Sequence, residues 1–96
     1  MERHRFSSPV VVTVETRPGS KWQYPVRDLY KAMALMRWHK LKALTNIHRF
    51  QPGIWLVAMS AIARAQEHPD SRAVEHAREM FEALARAAGI LADMSC

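Results

Sequence analysis

The 96-residue sequence is poor in three features that define whole protein classes: cysteine, glycine and long apolar runs. Its one cysteine, Cys96, excludes a disulfide framework and favours a reducing compartment. Its three glycines stand apart, which excludes a glycine-rich phosphate loop. The longest mainly apolar run, Ile54 to Ala63, is far shorter than the roughly 20 residues of a spanning helix. Residues 1–8 lack the apolar stretch of a signal peptide. We therefore expect a cytoplasmic protein with no membrane partner.

Acidic residues are absent from a long central stretch, residues 29–66. The net charge is +5, and it is unevenly distributed. Residues 1–51 contain ten Lys and Arg against three acidic residues, a net +7, whereas residues 52–96 contain four Arg against six acidic residues, a net −2. Such asymmetry predicts a surface for an acidic partner or for another copy of the same chain.

Residues 9–26 have the pattern of a β-hairpin. The first half of this segment is β-branched almost throughout, which suits a pleated, half-buried surface. A Pro-Gly turn follows at 18–19, and residues 21–26 then alternate between polar and apolar. Because Pro25 has no N–H to donate, the second strand is predicted to be an edge strand there.

The apolar side chains of the two strands constrain how the strands pair. A two-residue turn would place Val14 opposite Gln23 and turn one apolar set outwards. We therefore predict a loop of three or five residues, or a β-bulge near residues 17–21. The inward sets are then Val10, Val12 and Val14 on one strand and Trp22, Tyr24 and Val26 on the other. Trp22 and Tyr24 are either core residues or anchors of an interface.

Apolar residues at helical spacing predict three helices after the hairpin, over residues 28–42, 54–67 and 71–88. The Asp28 carboxylate can cap the first helix. The second helix is apolar nearly all round, which is typical of a central helix packed on several sides. Gly89 can supply the left-handed residue that ends the third helix.

The predicted fold class is α+β, with an N-terminal hairpin packed on three helices in one domain over residues 1–96. The length suits one domain, and an apolar fraction of 49% is ordinary for a globular protein. Residues 1–8 are expected to form a flexible N-terminus. Residues 90–93 can add a short third strand.

Both ends of the chain resemble one family. The segment Phe6-x-x-Pro9-Val10-x-Val12 resembles the opening of the domain of unknown function 982 family, small proteins common in rhizobia and related bacteria. The segment Ala77-Arg78-x-x-Phe81-x-x-x-Ala85-x-x-Ala88-Gly89-Ile90 resembles its closing helix. The family tends to have Trp-Pro where this chain has Trp38-His39. The resemblance implies a hairpin followed by helices and a bacterial source, but no activity, because the family has none assigned.

No arrangement of residues in the sequence matches a catalytic or metal site. The five histidines show no helical ligand spacing among themselves, and His76 and Glu79 have the spacing without a third ligand. Ser60 lies in an apolar helix rather than in a glycine-flanked elbow. Cys96 has no arranged base. We expect no catalytic residue, no metal and no cofactor, and the protein is predicted not to be an enzyme.

The acid-free stretch interleaves cations with aromatic residues. One hypothesis is that the protein binds nucleic acid, with phosphate contacts from Arg37, Lys40, Lys42 and Arg49 and with aromatic stacking. The alternative is that Trp38, Leu41 and Phe50 anchor the core and that the cations form a solvated rim. The absence of a recognised nucleic-acid motif favours the alternative.

Elimination of catalytic sites leaves an interaction module as the leading hypothesis. A two-stranded sheet has edges that need cover, and the two halves of the chain carry opposite charge. We therefore expect a small regulatory or accessory protein whose partner is a protein, including a second copy of itself in a homodimer.

Overall fold

The computed structural model describes residues 4–17, 19–37 and 42–92. It confirms an α+β fold with an N-terminal antiparallel hairpin, and it contains four helices rather than the predicted three. In chain order the elements are β1 (Arg5–Arg17), β2 (Ser20–Asp28), α1 (Leu29–Met36), α2 (Lys42–Phe50), α3 (Pro52–Glu67) and α4 (Ser71–Ala87). None of the helices in the described ranges is long and apolar enough to cross a bilayer.

The hairpin has the predicted register, with both apolar sets on one face. Cα partners are Val10 with Val26, Val12 with Tyr24, and Val14 with Trp22. The register shifts by one residue between the Glu15–Lys21 pair and the Arg17–Ser20 pair, as the predicted bulge requires.

The free edge of the sheet is the outer side of β2. The Thr13 N–H donates to the Ile90 carbonyl (2.7 Å), and the Ala92 N–H donates to the Val11 carbonyl (2.9 Å). The N–H and C=O groups of Val11 and Thr13 therefore point away from β2. The residues of β2 opposite them form no ladder hydrogen bonds with them, so the N–H and C=O groups of those residues point to the free edge. Pro25 pairs with Val11, so its missing N–H lies at that free edge, as the sequence predicted.

Residues 90–92 lie along the other edge of β1. Leu91 bridges Val12, so the predicted strand over residues 90–93 is reduced to one bridge, and residue 93 lies outside the described residues. The chain reaches this edge because Gly89, at a φ of 74°, reverses its direction beyond α4.

The N-terminal boundary differs from the prediction. The sheet begins at Arg5, and Phe6 is buried, so the prediction of a flexible segment over residues 1–8 is wrong for residues 5–8. The Ser7 hydroxyl donates to a Glu75 carboxylate oxygen (2.8 Å), and Arg78 Nε donates to the Ser8 carbonyl (3.0 Å). These two contacts attach the start of β1 to α4.

The first two helices explain the difference in helix number. Asp28 caps α1 as predicted, its Oδ1 accepting from the Lys31 N–H (2.8 Å), but α1 ends at Met36 rather than continuing to residue 42. Residues 42–50 form α2, although they include Thr45 and Asn46, which are weak helix formers. Leu44 and Ile47 are buried on one side of α2. That burial outweighs the few tenths of a kcal/mol per residue by which Thr and Asn disfavour helix.

The last two helices are close to their predicted bounds. α3 begins at Pro52, two residues before the predicted start, because proline is favoured in the first turn. α4 is capped by Asp70 Oδ1, which accepts from the Ala73 N–H (2.8 Å), and it ends at Ala87. One core lies between α3, α4 and the inner face of the hairpin, with α1 and α2 packed around it. Its largest fully buried side chain is that of Phe81.

Candidate interaction surface

Exposed apolar side chains concentrate on one short stretch of the chain. Of the six large hydrophobic residues that are exposed in the described ranges, four lie between positions 50 and 57. Phe50 is 72% exposed, and Leu56 and Val57 are each 54% exposed. Leu56 and Val57 are adjacent, and adjacent apolar exposure of this kind occurs at interaction surfaces. The four residues are Phe50, Ile54, Leu56 and Val57.

The periodicity of α3 explains the exposure. Its buried residues Ala58, Ile62 and Ala65 follow helical spacing and define the inner side. At about 100° per residue, Leu56 and Ser60 lie on the opposite side of the helix. We call this outer side the α3 face; it comprises Gly53, Leu56, Val57, Ser60, Arg64 and Glu67. The prediction that the second helix is packed on several sides is therefore wrong for one side.

A shallow groove runs between the α3 face and α4. Its α3 wall includes Leu56, Val57 and Ser60, and its α4 wall includes Ala73 and His76. Within the described residues, no hydrogen bond joins the Ser60 hydroxyl to the His76 ring, and no three His, Cys, Asp or Glu residues cluster as metal ligands would. The groove combines apolar contact area with the polar side chains of Ser60, Arg64 and His76.

The corner between α2 and α3 places a histidine ring and one arginine against aromatic rings. The His48 ring stacks on Trp55, with centroids 4.1 Å apart, and the Arg49 guanidinium lies 5.6 Å from the centre of the Phe50 ring. Phe50 is exposed, so its interpretation as a core anchor is wrong. Trp38 and Leu41, the other two expected anchors, lie outside the described residues.

The four cations of the nucleic-acid hypothesis are only partly described. Arg37 is the exposed C-cap of α1, and Arg49 is exposed in the last turn of α2. Lys42 begins α2, but its side chain is outside the description, as is the whole of Lys40. The structure therefore places two of the four on the surface, on different helices.

The two interface candidates of the hairpin have different environments. Tyr24 is half-buried and packs against the core, whereas Trp22 is 60% exposed although it pairs with the buried Val14. Tyr24 thus lies at the edge of the core, and only Trp22 presents a large accessible surface.

The sequence did contain an indication of the α3 face. Gly53, Ser60, Arg64 and Glu67 recur at intervals of seven, four and three residues. This spacing is that of the solvent side of a helix, and Leu56 and Val57 lie beside it. Most other residues of the helix are apolar, so these few polar positions did not by themselves predict an exposed side.

Comparison with known protein families, with curated proteins and with solved structures finds no match to this chain. The function proposed below therefore rests on the residues and geometry of this chain alone.

Proposed function

We propose that the protein is a non-enzymatic protein-interaction module, a small regulatory or accessory protein of the cytoplasm, and that it binds its partner through the α3 face. One observation carries the proposal: Leu56 and Val57 are adjacent, each more than half exposed, and lie beside a groove. Burying a Leu or Val side chain completely is worth roughly 1.5–3 kcal/mol, so two neighbouring side chains of this kind form an anchor for a partner. The lone cysteine supports a reducing compartment.

Photo-crosslinking in living cells tests the proposal. A photoreactive amino acid replaces Val57, and the matched control replaces Ala83, which is exposed on the outer side of α4. We expect covalent protein adducts from position 57 and few from position 83. A Leu56→Asp change in the same chain should remove the adducts, because the charge must be desolvated on docking. Equal adducts from both positions, or none from position 57, would contradict the proposal.

A second candidate function is nucleic-acid binding, which the Arg49–Phe50 pair favours. An exposed ring beside a guanidinium can stack on a base while the cation contacts a phosphate. The replacement of Arg37, Lys40 and Arg49 together by Ala should then abolish binding to single-stranded DNA and reduce its salt dependence by about one unit per lost phosphate contact. Retention on immobilised DNA at increasing salt provides the measurement. Under the leading proposal the unmodified protein shows no salt-sensitive retention.

We also propose that residues 6–90 are related to the bacterial domain of unknown function 982 family. The hairpin followed by helices supports it. It adds no activity to the proposed function, because the family has none assigned.

A further inference from the structure

We infer that the segment bound by the α3 face is an amphipathic helix of another protein, with a carboxylate about two helical turns from its apolar anchor residues. The inference rests on the proposed function, because it names the chemistry of the partner of the same surface. Two features support it: the order of side chains along the α3 face, and the shape of the groove beside that face.

The side chains of the α3 face change in character along the helix. Leu56 and Val57 are each more than half exposed, and Ser60 follows with a small polar side chain. Arg64 lies one turn further on. At 1.5 Å and about 100° per residue, Val57 and Arg64 are about 10 Å apart along the helix axis and almost in line. A partner that covers the apolar pair therefore extends over the cation.

The guanidinium of Arg64 is accessible to a partner. Arg64 is exposed, and among the residues that the structure describes its side chain makes no hydrogen bond or ion pair. It lines the groove together with His76, and none of the described residues that line the groove is acidic. The groove thus pairs apolar contact area with a cation, which is complementary to a ligand with an apolar part and a carboxylate.

The other charged residues near this end of α3 have neighbours of their own. Asp70 Oδ1 caps α4 by accepting from a backbone N–H of its first turn (2.8 Å). Arg72, Glu75 and Glu79 line a separate depression on α4. A carboxylate brought to the level of Arg64 therefore meets one cation whose side chain is not already paired within the described ranges.

Glu67 distinguishes a single carboxylate from an extended anionic surface. It is exposed on the α3 face one turn beyond Arg64, about 4.5 Å further along the axis. A membrane surface or a nucleic-acid backbone presents negative charge at both levels, so attraction to Arg64 would be opposed by repulsion from Glu67. A protein helix can place an acidic residue at the level of Arg64 and a basic residue one turn further on. The order of charge therefore favours a protein segment.

The shape of the groove favours a helix as the partner segment. α3 and α4 flank the groove, and Val57, Ser60 and Arg64 follow one another along its α3 wall at intervals of three and four residues. Side-chain rows with this spacing accept the rows of another helix, which have the same spacing. The small side chain of Ser60 allows close approach between the anchor and the ion pair. The partner helix should then carry an acidic residue about seven positions from its apolar anchor.

Reversal of the charge at position 64 gives the first test, with photo-crosslinking from position 57 in living cells as the readout. Arg64→Glu should reduce the protein adducts at least about tenfold, because the partner's carboxylate meets a like charge. Arg64→Gln, which removes the charge without reversing it, should give a smaller reduction. Adducts that survive Arg64→Glu undiminished would overturn the inference.

Lys31→Glu is the matched control for this test. It makes the same change of charge at an exposed residue in the first turn of α1, which does not line the groove. It should leave the adducts unchanged. An equal loss of adducts in Lys31→Glu and Arg64→Glu would show that net charge rather than the groove attracts the partner, and would overturn the inference.

The sequence at the crosslink tests the chemistry of the partner directly. Mass spectrometry of the digested adducts should locate an Asp or Glu about seven residues from the crosslinked position. A synthetic peptide of that segment should bind the purified full chain in fluorescence anisotropy, and replacement of its acidic residue by Lys should weaken binding at least about tenfold. The Lys peptide should bind Arg64→Glu more tightly than the original peptide does. Equal binding of the two peptides to the wild type would overturn the inference.

These results are separable from failure of the proposed function. Adducts that join position 57 to a second copy of this chain, or to a segment without an acidic residue at the expected distance, overturn the acidic helix and leave the interaction module standing. No adduct from position 57 overturns the interaction module as well.

Discussion

Phe81→Ala is expected to lower the free energy of unfolding by about 3–5 kcal/mol. Phe81 is the largest fully buried side chain of the core, on the inner face of α4. Truncation removes the transfer free energy of the ring and leaves a cavity, because the surrounding helices and hairpin can close it only in part. Urea unfolding followed by circular dichroism gives the value, and the slope with denaturant should stay unchanged.

Phe50→Ala provides the matched control for that measurement. It removes the same side chain from a position that is 72% exposed, and it should cost less than about 1 kcal/mol. A cost below about 1 kcal/mol for Phe81→Ala, or equal costs for both changes, would show that the core is not centred on α4.

Ile62→Asp is expected to abolish the folded state. Ile62 is fully buried on the inner side of α3. A carboxylate at this position loses its hydration without gaining a partner, a cost of several kcal/mol in addition to the lost apolar contacts. Small domains are stable by only about 5–15 kcal/mol. The amide resonances of the variant should collapse into the narrow range of an unfolded chain.

Val57→Asp, five residues earlier on the same helix, should leave the fold intact. Its side chain lies on the α3 face, and Val and Asp have similar helix propensities, so the change should alter stability by less than about 1 kcal/mol. Comparison of the two variants therefore separates the effect of burial on stability from the effect of helix propensity. If Val57→Asp unfolds the chain as Ile62→Asp does, α3 is buried on both sides and the interaction surface does not exist.

The hairpin was predictable in detail because strand geometry has a period of two. Once Val10, Val12 and Val14 were assigned to one face, the apolar set of the second strand allowed only a few loop lengths. The observed bulge is one of the predicted solutions. The residues at two helix ends were similarly informative. Asp28 accepts a hydrogen bond from a free backbone N–H at the start of α1, and Gly89 adopts the positive φ that reverses the chain beyond α4.

The second helix and the exposed side of α3 were not predicted from the sequence, because both depend on which residues are buried in the tertiary structure. α2 forms although Thr45 and Asn46 are weak helix formers, because Leu44 and Ile47 reach the core. The same limitation applies to the surface. An apolar residue on a helix can face the core or a partner, and only the packing of α3 against α4 shows that Leu56 and Val57 face outwards.

Pro25 has a consequence for how copies of this chain can assemble. A further strand added to β2 would meet a position without a donor in the middle of the accessible edge. Growth by strand addition, which has no natural end, is therefore interrupted at that point. The placement of one proline thus disfavours open-ended growth along this edge of the sheet.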